Sequence, residues 1–273
     1  MDDGSALTSP DARTPIRIAV WSGPRNLSTA LMRSFSSRAD CVVSDEPFYA
    51  SYLMATGFDH PGREEVLASQ STDWREVAQA VSRGPVPRSI PSANDLPSGG
   101  RIVWYQKHMA QHMREEMLGD WLDGLKHAIL VRHPARVIAS YRKVFPRMTL
   151  QETGLSWQMK LVERLVAIGR PRPVVIDASE LRVDPEGTLR RLCEGVGISF
   201  DTAMLSWPAG PHPQDGVWAR HWYAGTWNTT GFDTAREGPP PDVDVPFLQE
   251  ALSLYDALRS CCKSRTPPTT TSS

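Results

Sequence analysis

No apolar run in the 273-residue sequence approaches membrane-spanning length, and the opening MDDGSALTSPDARTP lacks the apolar core of a secretory signal. Cysteine is scarce. Of the four residues, Cys41 and Cys193 fall in apolar segments, Cys261 and Cys262 are adjacent, and no metal-ligand spacing appears. A reduced, cytoplasmic protein is the expectation. Net charge of either sign is also missing. At a formal −1, no global field points to nucleic acid or to a membrane surface as partner, so any anion site must be local. There is no internal repeat, no Ser-His-Asp order and no metal cluster. What is present is ordinary for a globular chain with a sizeable core: 40% hydrophobic and 22% charged residues. Arginine far outnumbers lysine, which suits phosphate-type ligands. One domain over 15–262 is expected, between an N-terminal stretch (1–14) and a tail (263–273) too poor in apolar residues to fold.

Short, partly β-branched runs alternate with helical patterns. Strands are expected at 16–21, 41–45, 101–106, 127–132 and 173–178, and helices near 27–38, 74–83, 134–143, 150–169, 184–196 and 244–260. Leu155, Met159, Val162 and Val166 would form one buried stripe. Leu248, Ala251, Leu252, Tyr255 and Leu258 would form another. Such alternation implies an α/β fold: a mostly parallel sheet flanked by helices on both faces, with ligands beyond the C-terminal ends of the strands. The stretch 84–100, rich in proline and glycine, reads as a loop, either a lid or a plain surface excursion.

The stretch IAVWSGPRNLSTALM (18–32) reads as a buried strand, a turn and a helix. Backbone N–H groups at a helix N-terminus lack internal partners, and the dipole there favours anions. Ser28 and Thr29 add hydroxyls, and Arg25 adds a planar fork of donors. The lysine of a nucleotide-triphosphatase loop is absent, because Ser28 and Thr29 stand where G-x-x-x-x-G-K-[ST] has its second Gly and its Lys. A plain capped helix, with Ser28 as cap, would explain the stretch equally. A second stretch, HAILVRHPARVIASYRK (127–143), has the same form. Arg132 ends a strand, Pro134 suits the first helical position, and Ser140 lies about two turns in, roughly 9 Å along the axis. Arginine and serine could clamp one phosphate, or the arginine could pair with a surface carboxylate.

Together these segments resemble the cofactor-binding segments of the sulfotransferases that use 3′-phosphoadenosine 5′-phosphosulfate (PAPS). A third stretch, DASELRVDPEGTLRRLCEGVGISF (177–200), is similar to that family's strand, DPE turn, helix and LG-x-x-F ending, and the likeness covers roughly 16–232. The resemblance implies a P-loop-like sulfotransferase fold, PAPS as co-substrate, a small-molecule hydroxyl as acceptor and no metal. In that family the first loop, typically Pro-Lys/Arg-Ser-Gly-Ser/Thr-Thr, holds the 5′-phosphosulfate. That would place Pro24, Arg25, Asn26, Leu27, Ser28 and Thr29 around it. Arg-x-Pro with a helix serine eight residues after the arginine holds the 3′-phosphate, which implies Arg132 and Ser140.

The sequence departs from the family at three places. Leu27 replaces a loop glycine, so the turn must avoid positive φ there or strain to reach it. Asn26 replaces serine. Ala30 stands where many members carry a tryptophan that stacks on adenine. In the late segment WARHWYAGTWNTTGF (218–232), Trp222 or Trp227 could supply the stacking, and Arg220 or Thr229 could reach phosphate.

Transfer to an alcohol needs a base for the hydroxyl proton and positive charge near the leaving oxygen. Lys107 and His108 are placed at a strand end, and many sulfotransferases carry Lys-x-His there, with the histidine as base. His108 comes one residue early for that pattern. It is nevertheless the first choice, with Lys107 and Arg25 supplying positive charge. Glu46, in an EP turn resembling that of bacterial and carbohydrate sulfotransferases, is the alternative, and His112 follows. Phe48, Tyr49 and Tyr52 would wall the acceptor pocket. Two other functions stay open: a small-molecule kinase on a P-loop scaffold, which the missing lysine argues against, and a non-catalytic nucleotide-binding protein. The sequence sets neither the acceptor nor the oligomeric state.

Overall fold

The structure, a computed structural model, describes residues 14–87 and 101–261. The two terminal segments expected to be unfolded and the 84–100 loop lie outside the described residues, apart from residue 14 and residues 84–87.

Five β-branched runs form five strands: β1 (Ile16–Ser22), β2 (Cys41–Asp45), β3 (Val103–Met109), β4 (Lys126–Val131) and β5 (Val174–Asp177). Their order is β2-β3-β1-β4-β5, and every pairing is parallel. Central β1 needs apolar side chains on both faces, and its sequence provides them. Ile18 and Val20 join one core cluster, Ala19 and Trp21 the other. The chain leaves β1 toward one edge and later returns to its other side. The loops after β1 and β4 therefore open a crevice at the C-terminal edge of the sheet.

Helices cover both faces. The first half of the chain contributes α1 (Ser28–Ser36), α2 (Tyr49–Thr56), α3 (Arg63–Ser69) and α4 (Trp74–Arg83). The middle contributes α5 (Pro134–Tyr141), α6 (Leu155–Ala167), α7 (Ala178–Val183) and α8 (Pro185–Val196). The last part contributes two single turns, α9 (Ala219–Trp222) and α10 (Ala224–Trp227), and then α11 (Leu248–Ser260). Leu31, Met32 and Phe35 of α1 pack with Leu189, Leu192 and Val196 of α8 on one face. Val77 and Val81 of α4, Leu161 and Leu165 of α6 and Leu258 of α11 pack on the other. None of the described helices is long and apolar enough to cross a membrane.

The expected α/β architecture is what the chain forms, with corrections. In α6 the buried stripe is Leu155, Gln158, Leu161, Val162 and Leu165, while Val166 is 42% exposed. The i, i+4, i+7 stripe was set about a residue off, because Gln158 turns inward to donate to the carbonyls of Trp21 (2.9 Å) and Leu130 (3.0 Å). In α11, Ala251, Tyr255 and Leu258 are buried and Leu252 only partly. Helices α2, α3 and α7 and the turns α9 and α10 were not expected. Strand β3 runs on to Met109, three residues past the expected end, and that difference reorders the candidate catalytic residues.

Candidate active site

A cavity of about 360 Å³ opens where β1, β2, β3 and β4 end. Its first wall is the loop after β1. Pro24, Arg25, Asn26, Leu27, Ser28, Thr29 and Ala30 all line it. Gly23 lets this loop lie against its neighbour, since a Cβ there would meet the carbonyl oxygen of Thr153 at 2.1 Å. Arg25 and Leu27 both sit in the left-handed region, at φ 60° and 65°, so the turn reaches positive φ without the glycine that makes it easy. Buried Asn26 ties the turn to the sheet by donating from Nδ2 to the Leu130 carbonyl at 3.2 Å. Leu27 is the N-cap of α1, no side chain caps the helix, and its first turn holds no acidic residue. A helix start of this kind leaves N–H donors without side-chain acceptors and could hold an anion.

The second wall comes from β4 and α5. Pro134 starts the helix. Ser140 accepts from Arg25 Nε at 3.0 Å, and Arg132 Nη1 donates to the Arg25 carbonyl at 2.8 Å. Arg132, Ser140 and Arg182 line the cavity beside the loop. Burial, and then the charge of Arg132, lowers the pKa of Arg25. Two clustered guanidinium groups of this kind are relieved by an anion between them. Arg132 Nε is buried without a partner among the described residues. These residues fit a phosphorylated nucleotide.

The floor is a buried ionic network. Lys107 Nζ donates to Asp45 Oδ1 (2.9 Å), Glu46 Oε1 (2.6 Å) and the Tyr223 hydroxyl (2.5 Å). Tyr223 in turn donates to Asp45 at 2.8 Å and accepts from Trp218 Nε1 at 3.2 Å. Burial alone would lower the Lys107 pKa, but Asp45 and Glu46 overturn that and raise it. Glu46 follows β2 at φ 41°, held by its N–H donating to the Lys107 carbonyl at 2.9 Å. Burial raises its pKa, against the pull of Lys107. Its Oε2 lies 4.0 Å from His112 Nε2. The His112 ring is stacked between Tyr49 (4.9 Å) and Tyr52 (4.5 Å). Burial first, then His60, Lys107 and His108, push its pKa well down. Tyr49, His60, Tyr141 and Trp222 complete an aromatic side of the cavity, with Tyr49 hydroxyl and His60 Nδ1 2.8 Å apart.

Four expectations need correction. His108 is not at the site. Because β3 continues through Met109, side chains alternate, and Lys107 and Met109 line the cavity while His108 faces the opposite side of the sheet. There it is 1% exposed, stacks on Trp21 at 4.4 Å and donates from Nε2 to Gln106 Oε1 at 3.1 Å. Burial, and then His127, bring its pKa down to about 3. His112 lies in the short turn Ala110–His112 that follows the strand. Second, all three Lys107 protons are taken by Asp45, Glu46 and Tyr223, which leaves none for the leaving oxygen expected of it. Third, in the late segment Trp222 and Thr229 line the cavity, but Arg220 and Trp227 do not. Arg220 is half exposed and pairs with Glu65. Trp227 packs on the core and donates to Asp215 at 3.1 Å. Fourth, of the aromatic wall expected, Tyr49 lines the cavity, Tyr52 backs His112, and Phe48 packs on the far face with His108. Sequence reading missed Tyr223, Arg182 and His60. Arg182 lies in the quoted 177–200 stretch, two residues before its DPE turn, and nothing in the local pattern marks it.

The family model described as a sulfotransferase domain matches residues 16–262. Two curated relatives in Arabidopsis thaliana are called branched-chain-amino-acid aminotransferase-like proteins 1 and 2. They are 41% and 36% identical over 91% of this chain, and the match covers 42% of each. The chain thus spans less than half the length of these relatives. Among solved structures, the sulfotransferase domain from the Synechococcus PCC 7002 olefin synthase is similar in fold. Its TM-score is 0.52 at 18% identity, over 92% of this chain and 97% of that one.

Proposed function

The chain belongs to the sulfotransferase domain family, and we propose that it transfers the sulfuryl group of PAPS to a hydroxyl of a small molecule, in the cytoplasm. The observation that carries this reading is one cavity shared by two units: the Arg25–Ser140–Arg132 wall and the Glu46–Lys107 floor. The first holds phosphate; the second accepts a proton.

In this reading the 5′-phosphate lies on the uncapped start of α1, with Arg25, Ser28 and Thr29 as donors, and the 3′-phosphate lies by Arg132 and Ser140. Trp222 or Thr229 meets the nucleoside. The acceptor oxygen attacks sulfur from the aromatic side, the sulfur–oxygen bond to the 5′-phosphate breaks, and the acceptor proton passes to Glu46. A carboxylate with its pKa raised by burial is better matched to that proton than an ordinary one. Arg25 and the helix N-terminus stabilise charge growing on the leaving oxygen, so no triphosphate-clamping lysine is needed. No metal is invoked, and among the described residues no group of three or more His, Cys, Asp and Glu could hold one. Aminotransferase chemistry, which the name of the relatives suggests, does not suit this cavity. Lys107, the lysine lining the cavity, is held protonated by two carboxylates, the opposite of the free amine that Schiff-base chemistry requires.

The test is incubation with sulfate-labelled PAPS and a cell extract. Label on a hydroxylated metabolite is expected. Tight binding of adenosine 3′,5′-bisphosphate with no transfer to any acceptor would favour a non-catalytic binding protein. Protection by ATP with Mg²⁺ instead would favour the kinase.

A further inference from the structure

Three arginines converge on one carboxylate beside the cavity. Glu237 Oε1 pairs with Arg132 Nη2, Oε2 lies 3.1 Å from Arg136 Nε, and Arg182 Nε is 4.0 Å from Oε1. The same arginines strap down the chain around it. Arg182 Nη2 donates to Asp233 at 2.5 Å and to the Ala235 carbonyl at 3.1 Å, and Arg136 donates to the Gly238 carbonyl. The four side chains are largely buried, with Arg132 at 17% exposed and Glu237 at 14%. Two carboxylates, Asp233 and Glu237, face three guanidinium groups, so the cluster keeps an excess of positive charge. Arg132 Nε also keeps a buried proton with no partner among the described residues.

We infer that Glu237 is an internal occupant of the subsite where the donor's 3′-phosphate would sit, and that it sets how strongly the chain selects 3′-phosphorylated nucleotides over those without that phosphate. The inference rests on the donor reading above. A phosphomonoester carries about −1.5 to −2 charge and three acceptor oxygens, so it meets the arginine forks better than one carboxylate and can displace it. Displacement still has a cost. A ligand needing the open subsite binds more weakly in proportion to the fraction of molecules in which the subsite is open. A nucleotide with only a 5′-phosphate needs no displacement, because Glu237 goes on neutralising Arg132 and Arg136. The carboxylate therefore narrows the gap between the two kinds of ligand.

Calorimetric titration of the full chain with adenosine 3′,5′-bisphosphate and with adenosine 5′-phosphate tests this, on the wild type, Glu237→Gln and Glu237→Ala. Both variants should bind the bisphosphate about ten-fold more tightly and the monophosphate as before. Equal bisphosphate affinity in all three proteins overturns the inference and leaves the donor reading standing. Equal gains for both nucleotides overturn it too, since the whole cavity would then have opened. If neither nucleotide binds any of the three, the donor reading fails, and inorganic phosphate decides the rest. A rise in melting temperature with phosphate in the variants but not in the wild type upholds the occupied subsite; no difference overturns it.

Discussion

Arg25 Nε and Ser140 Oγ meet at 3.0 Å, joining the loop after β1 to the helix after β4. The contact makes one anion-binding wall from two strand–turn–helix units that lie 115 residues apart in the chain. Arg132 sits behind it with one N–H on the Arg25 carbonyl.

Arg132→Ala should therefore weaken adenosine 3′,5′-bisphosphate more than adenosine 5′-phosphosulfate. A charge-assisted contact is worth about 1.5–3 kcal/mol, which is roughly ten- to a hundred-fold in the dissociation constant. The 5′-phosphosulfate, which lacks the 3′-phosphate, should change little. Equal losses for both ligands would show that Arg132 acts through its hold on the Arg25 carbonyl and not through the 3′-phosphate.

Glu46→Gln should lower turnover by about 10²–10⁴ with bisphosphate affinity nearly unchanged. The pH profile gives the sign. A base must be ionised to accept a proton, and burial has raised the Glu46 pKa. The rising limb of kcat should thus lie above the ordinary carboxylate value of about 4.3. A variant with near-normal turnover across the profile would remove Glu46 from the role and turn attention to His112, whose own limb would lie below about 6.5 because its pKa is depressed.

His108→Ala is expected to change stability and leave turnover of the folded protein intact. It removes a ring stacked on Trp21 in a closed cluster, a loss of about 2–4 kcal/mol in denaturant unfolding. The folded pKa, about 3, is below the unfolded value of about 6.5. The stability it carries is thus full above 6.5 and lost as pH falls toward the folded value. Removing the ring should make stability less pH-dependent across that window, by up to about 1.4 kcal/mol per pH unit. A drop in kcat with little loss of stability would return His108 to the chemistry.

How far the site could be read from sequence depended on which physical signal each residue carried. The β1 loop and the Arg132–Ser140 pair were legible because their chemistry lies in one local strand–turn–helix pattern. His108 was misplaced through a strand end. Stopping β3 at 106 leaves Lys107 and His108 free to face one crevice, whereas three further residues of pleat send them to opposite faces. Helix α2 was missed because YASYLMAT is apolar nearly all round and has no polar face to set a period. Glu237 left no local trace, since its partner Arg132 is 105 residues away and no spacing rule links them.

The loop itself offers the sharpest stability test. Leu27 caps α1 at φ 65° and ψ 18° while its side chain packs on the core. The left-handed conformation costs an L-residue about 1–2 kcal/mol. Leu27→Ala loses the packing and keeps the strain. Leu27→Gly loses the packing and relieves the strain. Within an ordinary helix glycine is worse than alanine by roughly 0.5–1 kcal/mol, but here the order should invert, with the glycine variant the more stable by about 1 kcal/mol in urea unfolding. Because Arg25 in the same turn is also left-handed, at φ 60°, the glycine variant should keep bisphosphate affinity as well, provided the turn holds its shape. An alanine variant more stable than the glycine one would mean that the turn relaxes out of positive φ when the leucine is removed, and that packing of Leu27, rather than the loop's own conformation, aims Arg25 at the cavity.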